Sequence, residues 1–118
     1  MGEKSSNSDQ CLPKNEIIKK NIEFKTILTR GRQWEGKYIK IFILEAKETK
    51  VGFLVPKKVG NAVIRNRIKR LMRETYRKNR QNIKNLHVVL YAKNLTPSAG
   101  YQHIYNDFQN FLKSVNDH

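Results

Sequence analysis

Apolar residues change their spacing several times along this chain, and each change marks an element. Met1 to Leu12 is polar, with three serines and no apolar period, which predicts a disordered tail over residues 1–12. From Asn21, the residues Ile22, Phe24, Ile27 and Leu28 recur at near-helical spacing as far as Gly31. This predicts a short first helix with Asn21 able to cap its start. The run Tyr38 to Leu44 switches to a period of two. Ile39, Ile41 and Ile43 fall on one side, and Tyr38, Lys40, Phe42 and Leu44 on the other, as expected of a strand with two usable faces. The polar link Lys47-Glu48-Thr49 leads into Val51 to Val55, read as the antiparallel neighbour of that strand, and Pro56 stops pairing because it has no amide hydrogen. Helical spacing returns from about Asn61 to Lys78, where Ile64, Ile68, Leu71, Met72 and the methyl of Thr75 share roughly a third of the helical wheel. Leu86 to Ala92 is another β-rich apolar run. After Pro97-Ser98, the residues Tyr101, Ile104, Tyr105, Phe108, Phe111 and Leu112 mark the buried side of a last helix. The order is α, β, β, α, β, α, with room for an extra short strand around Arg32 to Trp34, in one α/β domain over residues 13–115.

The length of 118 residues and a hydrophobic fraction of 38% suffice for one small core and not for two. A single cysteine, Cys11, rules out an internal disulfide or a multi-thiolate metal site, which fits a reducing cytoplasm. No stretch approaches the roughly 18 consecutive apolar residues of a membrane span. Met1 to Gln10 lacks the apolar core of a signal peptide. The expectation is a soluble, cytoplasmic chain with no membrane partner.

Charge sharpens the picture. There are 24 Lys+Arg against 10 Asp+Glu, a net charge of +14, and such a field attracts nucleic acids. Ten of those cations fall between Lys57 and Arg80, where Glu74 is the one acid. Around a helix with Ile64 at the centre of its buried face, Arg65, Lys69 and Arg73 follow at i, i+4 and i+8, with Asn66, Arg70 and Arg77 on the adjoining stripe. A solvated helix face ordinarily mixes its signs, whereas like charges at i, i+4 cost helix stability, so this cationic ridge points to phosphates rather than to solubility. Guanidinium groups add two-pronged bonds to phosphate oxygens. Arg67 lies on the opposite flank, where it reads either as an ion-pair partner of Glu74 or as a second RNA contact.

The same residues argue against chemistry by the protein. His87, His103 and His118 form no metal spacing, the acids are scattered singly, and no glycine-rich phosphate loop occurs. Glu74 reads as an ion-pair partner, not as a general base.

The stretch from Lys57 to Glu74, with Lys57-Lys58, Gly60-Asn61-Ala62-Val63 and the Arg65-Asn66-Arg67 core, closely resembles the signature of the protein subunit of bacterial ribonuclease P. The resemblance extends from about Glu16 to Phe111 and includes Glu23-Phe24, Val51-Gly52 and the strand at His87 to Lys93. It implies an α/β (α+β) sandwich with a central mixed sheet, the basic helix lying in a left-handed crossover between parallel strands. Such crossovers are right-handed in about 98% of cases, so general rules would give the opposite hand. It also implies a ribonucleoprotein endonuclease of tRNA processing in which the RNA subunit is the catalyst and removes the 5′ leader of precursor tRNA. Magnesium would be held mainly by RNA, with no organic cofactor and no protein partner required.

Carried over by motif, the resemblance assigns leader binding to Phe24, Phe42, Arg65, Asn66, Lys69 and Arg73, and contact with the catalytic RNA to Lys57, Lys58, Arg67 and Arg70. Aromatic platforms flanked by cations suit single-stranded RNA, because stacking tolerates any base. Spacing alone would place Phe24 and Phe42 in the core, although Phe42 shares its face with Lys40 and Tyr38. The chain departs from the family pattern at Leu28, where a second cleft Phe is common, and at Phe42, where Tyr is frequent. Three other readings compete: a ribosomal or RNA-chaperone protein on a related fold, a protein-only nuclease, which the carboxylate pattern opposes, and a DNA reader, for which no helix-turn-helix spacing is present.

Overall fold

Residues 16–93 and 100–116 are described in a computed structural model of the chain. The tail expected over 1–12 and the Pro97-Ser98 helix start lie outside them. Helix α1 spans Asn21–Arg30. Asn21 is its first residue, not its cap: the cap position is Lys20, whose carbonyl accepts from the amides of Glu23 and Phe24 at 3.1 and 3.2 Å, so backbone takes the role expected of a side chain. Gly31 ends the helix, its amide bonded to the Ile27 carbonyl at 2.8 Å. Its φ of −75° is open to any residue. Glycine is needed because a Cβ there would come within 2.6 Å of the Ile43 carbonyl oxygen, where the chain turns tightly into the sheet.

Four strands follow: β1 Arg32–Glu35, the extra short strand; β2 Ile39–Glu45; β3 Lys50–Leu54; and β4 Leu86–Ala92. They lie in the order β1-β2-β4-β3, antiparallel between β1 and β2 and between β2 and β4, and parallel between β4 and β3. The antiparallel β2–β3 pair expected from sequence does not form, because β4 inserts between them. The cause is burial: Val88, Val89, Leu90 and Ala92 of β4 are buried on alternating faces, and a strand apolar on both sides must be covered on both.

A parallel β3–β4 pair requires a crossover, and helix α2 (Ala62–Asn79) supplies it. Asn61 caps it, its side-chain oxygen accepting from the Ile64 amide at 3.0 Å. Helix α3 spans Tyr101–Asn116 and buries Ile104, Phe108, Phe111 and Leu112 as expected, with Tyr101 and Tyr105 half-buried. The larger core joins α2 and α3 to one sheet face through Ile39, Ile41, Phe53, Ile68, Met72 and Leu90. On the other face α1 closes a smaller core of Ile18, Ile27 and Val89. The buried carboxylate of Asp107 fixes α3 to the start of β2, accepting from the amides of Tyr38 and Ile39 at 2.6 and 3.1 Å. Among the described residues, no helix is long and apolar enough to cross a membrane.

Candidate nucleic-acid interface

Alternate residues of a strand share a face, so the cross-strand register sorts the α1 side of the sheet into rows. The rows run Leu44–His87–Lys50, then Gln33–Phe42–Val89–Gly52, then Glu35–Lys40–Tyr91–Leu54. Phe24 and Phe42, assigned to one site from sequence, do meet in one cluster, together with Leu28, Leu44 and Leu54. Both are half-buried. The Phe24 ring lies on Gly52, where an added Cβ would come within 2.7 Å of Cζ; only glycine lets the ring settle on the strand. Phe42 stands edge-to-face with Tyr91, with ring centroids 6.2 Å apart and planes at 71°.

Helix α2 takes its phase from Ile68, Met72 and Tyr76, all fully buried. That phase leaves Asn66, Lys69 and Arg73 exposed and Arg65 half-buried, so the i, i+4, i+8 stripe is real. The Arg73 guanidinium lies 5.8 Å from the Phe53 ring centroid on β3, which fixes the side to which the stripe leans. Arg65 Nε is enclosed and has no hydrogen-bond partner among the described residues. Lys57 and Lys58 are exposed on a single 3-10 turn, Lys57–Val59, between β3 and α2. Arg67 and Arg70 are exposed on the helix. Glu74 bonds to Arg77 and lies 4.0 Å from Lys78, not beside Arg67. The ion pair considered from sequence fails because seven residues span about 10.5 Å of helix axis, whereas i+3 and i+4 are neighbours.

Phe53 faces the α2 layer, while Phe24 and Phe42 face α1. The aromatic cluster and the cationic stripe therefore lie on opposite faces of the sheet, and the two surfaces meet around its outer strand, β3. On that outer edge Ile17 pairs with Val51, and the Ile18 amide donates to the Val51 carbonyl at 2.8 Å. Among the described residues nothing else pairs along it. A flexible strand rounding this edge would meet aromatic rings on one side and exposed cations on the other.

Among the described residues two titrating groups are displaced, and neither makes a catalytic site. Lys93 donates to Glu35 at 2.8 Å and holds its carboxyl below the usual carboxylate range by that bond and by charge. Burial pushes the Tyr76 phenol far up, with the Glu16 charge adding to the effect. No three His, Cys, Asp or Glu side chains among the described residues are placed to share a metal ion. Sequence reasoning missed Gly52 as the seat of Phe24, and Tyr91 as a second ring beside Phe42. The alternation of Val89 and Tyr91 on β4 was the available signal for the latter.

The family model for ribonuclease P matches residues 12–116. The chain is 37% identical over 107 residues to the ribonuclease P protein component of Clostridium novyi, covering 86% of this chain and 95% of that protein. It is 35% identical to the corresponding component of Alkaliphilus metalliredigens, covering 86% and 94%. Among solved structures, the Staphylococcus aureus RNase P protein superposes with a TM-score of 0.77 at 27% identity, covering 85% of this chain and 94% of that one. The Thermotoga maritima protein shares the fold, with a TM-score of 0.75 at 23% identity over 84% and 96% of the two chains.

Proposed function

Since the chain belongs to the ribonuclease P protein family, and as a protein component of that endoribonuclease partners the ribonuclease P RNA, we propose that it holds the 5′ leader of precursor tRNA while the RNA subunit cleaves. The observation that carries this reading is the meeting of an aromatic sheet face and a cationic helix around the edge strand β3. A single strand can wrap such an edge; a duplex is too stiff to do so. In this reading, bases stack against Phe42 and the outer face of Phe24. Arg65, Asn66, Lys69 and Arg73 bind the leader phosphates. Lys57, Lys58, Arg67 and Arg70 contact the catalytic RNA.

In this reading magnesium is held mainly by the RNA, whose phosphates attract divalent cations while a chain of net charge +14 repels them. The chain acts on it indirectly: each Lys or Arg on a phosphate replaces a counterion that close RNA approach would otherwise require, which lowers the magnesium demand. Work on that RNA implies a cytoplasmic chain.

The test is multiple-turnover cleavage of a 5′-extended precursor tRNA at low magnesium, with ribonuclease P RNA alone, protein alone, and both. Cleavage at the mature 5′ end only when both are present supports the reading. Cleavage by protein alone would move catalysis onto this chain. No stimulation of an active cognate RNA would favour a general RNA-binding role.

A further inference from the structure

Tyr91 is half-buried in the row beside Phe42, between Lys40 and Leu54, and its surroundings differ from those of the other rings there. It shares the α1 side of the sheet with Phe42 and Leu54, yet among the described residues those two pack against the small core under α1 and Tyr91 does not. Its ring contact is the edge-to-face one with Phe42. Phe24, by contrast, has one ring face taken by Gly52. We propose that Tyr91 is a substrate-positioning residue that stacks on one unpaired leader base; the proposal rests on, and deepens, the reading of this face as the leader site.

Three features of the neighbourhood fit that role. Rings at 71° form a corner, so a base lying flat on Tyr91 meets the Phe42 ring at its edge. Lys40 is the direct cross-strand partner of Tyr91 and supplies a cation within reach of a flanking phosphate. On the other side Tyr91 pairs with Leu54, and Lys57 and Lys58 begin three residues beyond it. A ring set between two sources of positive charge is the arrangement that single-stranded RNA occupies irrespective of sequence. A tyrosine held only for packing would sit inside the apolar cluster, as Phe42 and Leu54 do.

The test uses the reconstituted ribonucleoprotein and precursor tRNAs carrying a single abasic nucleotide at successive leader positions. Tyr91→Ala and Tyr91→Leu should each weaken binding of leader-bearing substrate by about tenfold, a typical value for losing one stacked base, while Tyr91→Phe should bind as the parent does. Binding of tRNA without a leader should stay unchanged in all three. With the parent protein, one abasic position should carry a similar penalty, and Tyr91→Ala should abolish that penalty at this position alone. Thermal melting checks folding, and Tyr91→Leu retains an apolar contact for Phe42 without a stacking face. Parental affinity in both variants, or an abasic profile that Tyr91→Ala leaves intact, overturns the proposal. Phe42→Ala and Lys69→Ala separate the two levels: if they weaken leader binding and Tyr91→Ala does not, the interface stands without Tyr91. If none of them does, the interface reading itself fails.

Discussion

Replacing Gly52 by alanine adds one methyl where the Phe24 ring lies. That carbon would come within 2.7 Å of Phe24 Cζ and 3.4 Å of Ile18 Cβ. Carbon atoms settle at about 3.5–4.0 Å, so the ring must retreat by about 1 Å. Its retreat is opposed by Ile18, Ile27 and Val89, the buried residues of the cluster that holds it. Overpacking of this kind costs about 1–3 kcal/mol, and alanine recovers about 0.5–1 kcal/mol of the entropy that glycine loses in a strand. The net cost centres on about 1 kcal/mol, and at roughly 4 °C per kcal/mol for a chain of this length the melting temperature should fall by about 4 °C. The decisive measurement is a double-mutant cycle with Phe24→Leu, followed by thermal melts. With the ring gone, Gly52→Ala should become neutral or slightly stabilising, for a coupling of about 1–2 kcal/mol. Leader affinity should fall in Gly52→Ala because the displaced ring disturbs Phe42. If Gly52→Ala is as costly in the Phe24→Leu background as in the parent, the glycine is needed for some other reason and the seating argument is wrong.

Asp107→Ala removes the acceptor for two amides at the start of β2 and should cost about 2–4 kcal/mol in denaturant unfolding, against about 1 kcal/mol for Asp107→Asn, which keeps an oxygen; equal losses would refute the bonding. Tyr76→Phe removes a buried hydroxyl that has no hydrogen-bond partner among the described residues, so it should stabilise the fold by about 1 kcal/mol, and a clear loss of stability would reveal a bond. Lys69→Ala, at an exposed position of the stripe, should reduce the salt slope of leader binding by about 0.7, the value for one phosphate on a single strand, equally for all leader sequences. An unchanged slope removes Lys69 from the interface.

Local patterns determined most of the elements. The period-two run around Ile39, Ile41 and Ile43 and the helical spacing of Ile64, Ile68 and Met72 state which side of each element is buried, because strand and helix geometry fix those intervals. The cationic stripe Arg65, Lys69 and Arg73 was legible for the same reason, since i, i+4 and i+8 share a helix face wherever that helix packs. Tertiary structure alone decided which strands become neighbours. Proximity in sequence favoured β2 beside β3, but β4 is apolar on both faces and took the place between them, leaving β3 at the edge. That exchange makes the candidate site, because an edge strand is where the aromatic face and the basic helix can be reached together. Gly52 beneath Phe24, Tyr91 beside Phe42, and Glu74 held by Arg77 rather than Arg67 depend on register and rotamer, and these are set by packing between segments that the one-dimensional pattern does not relate.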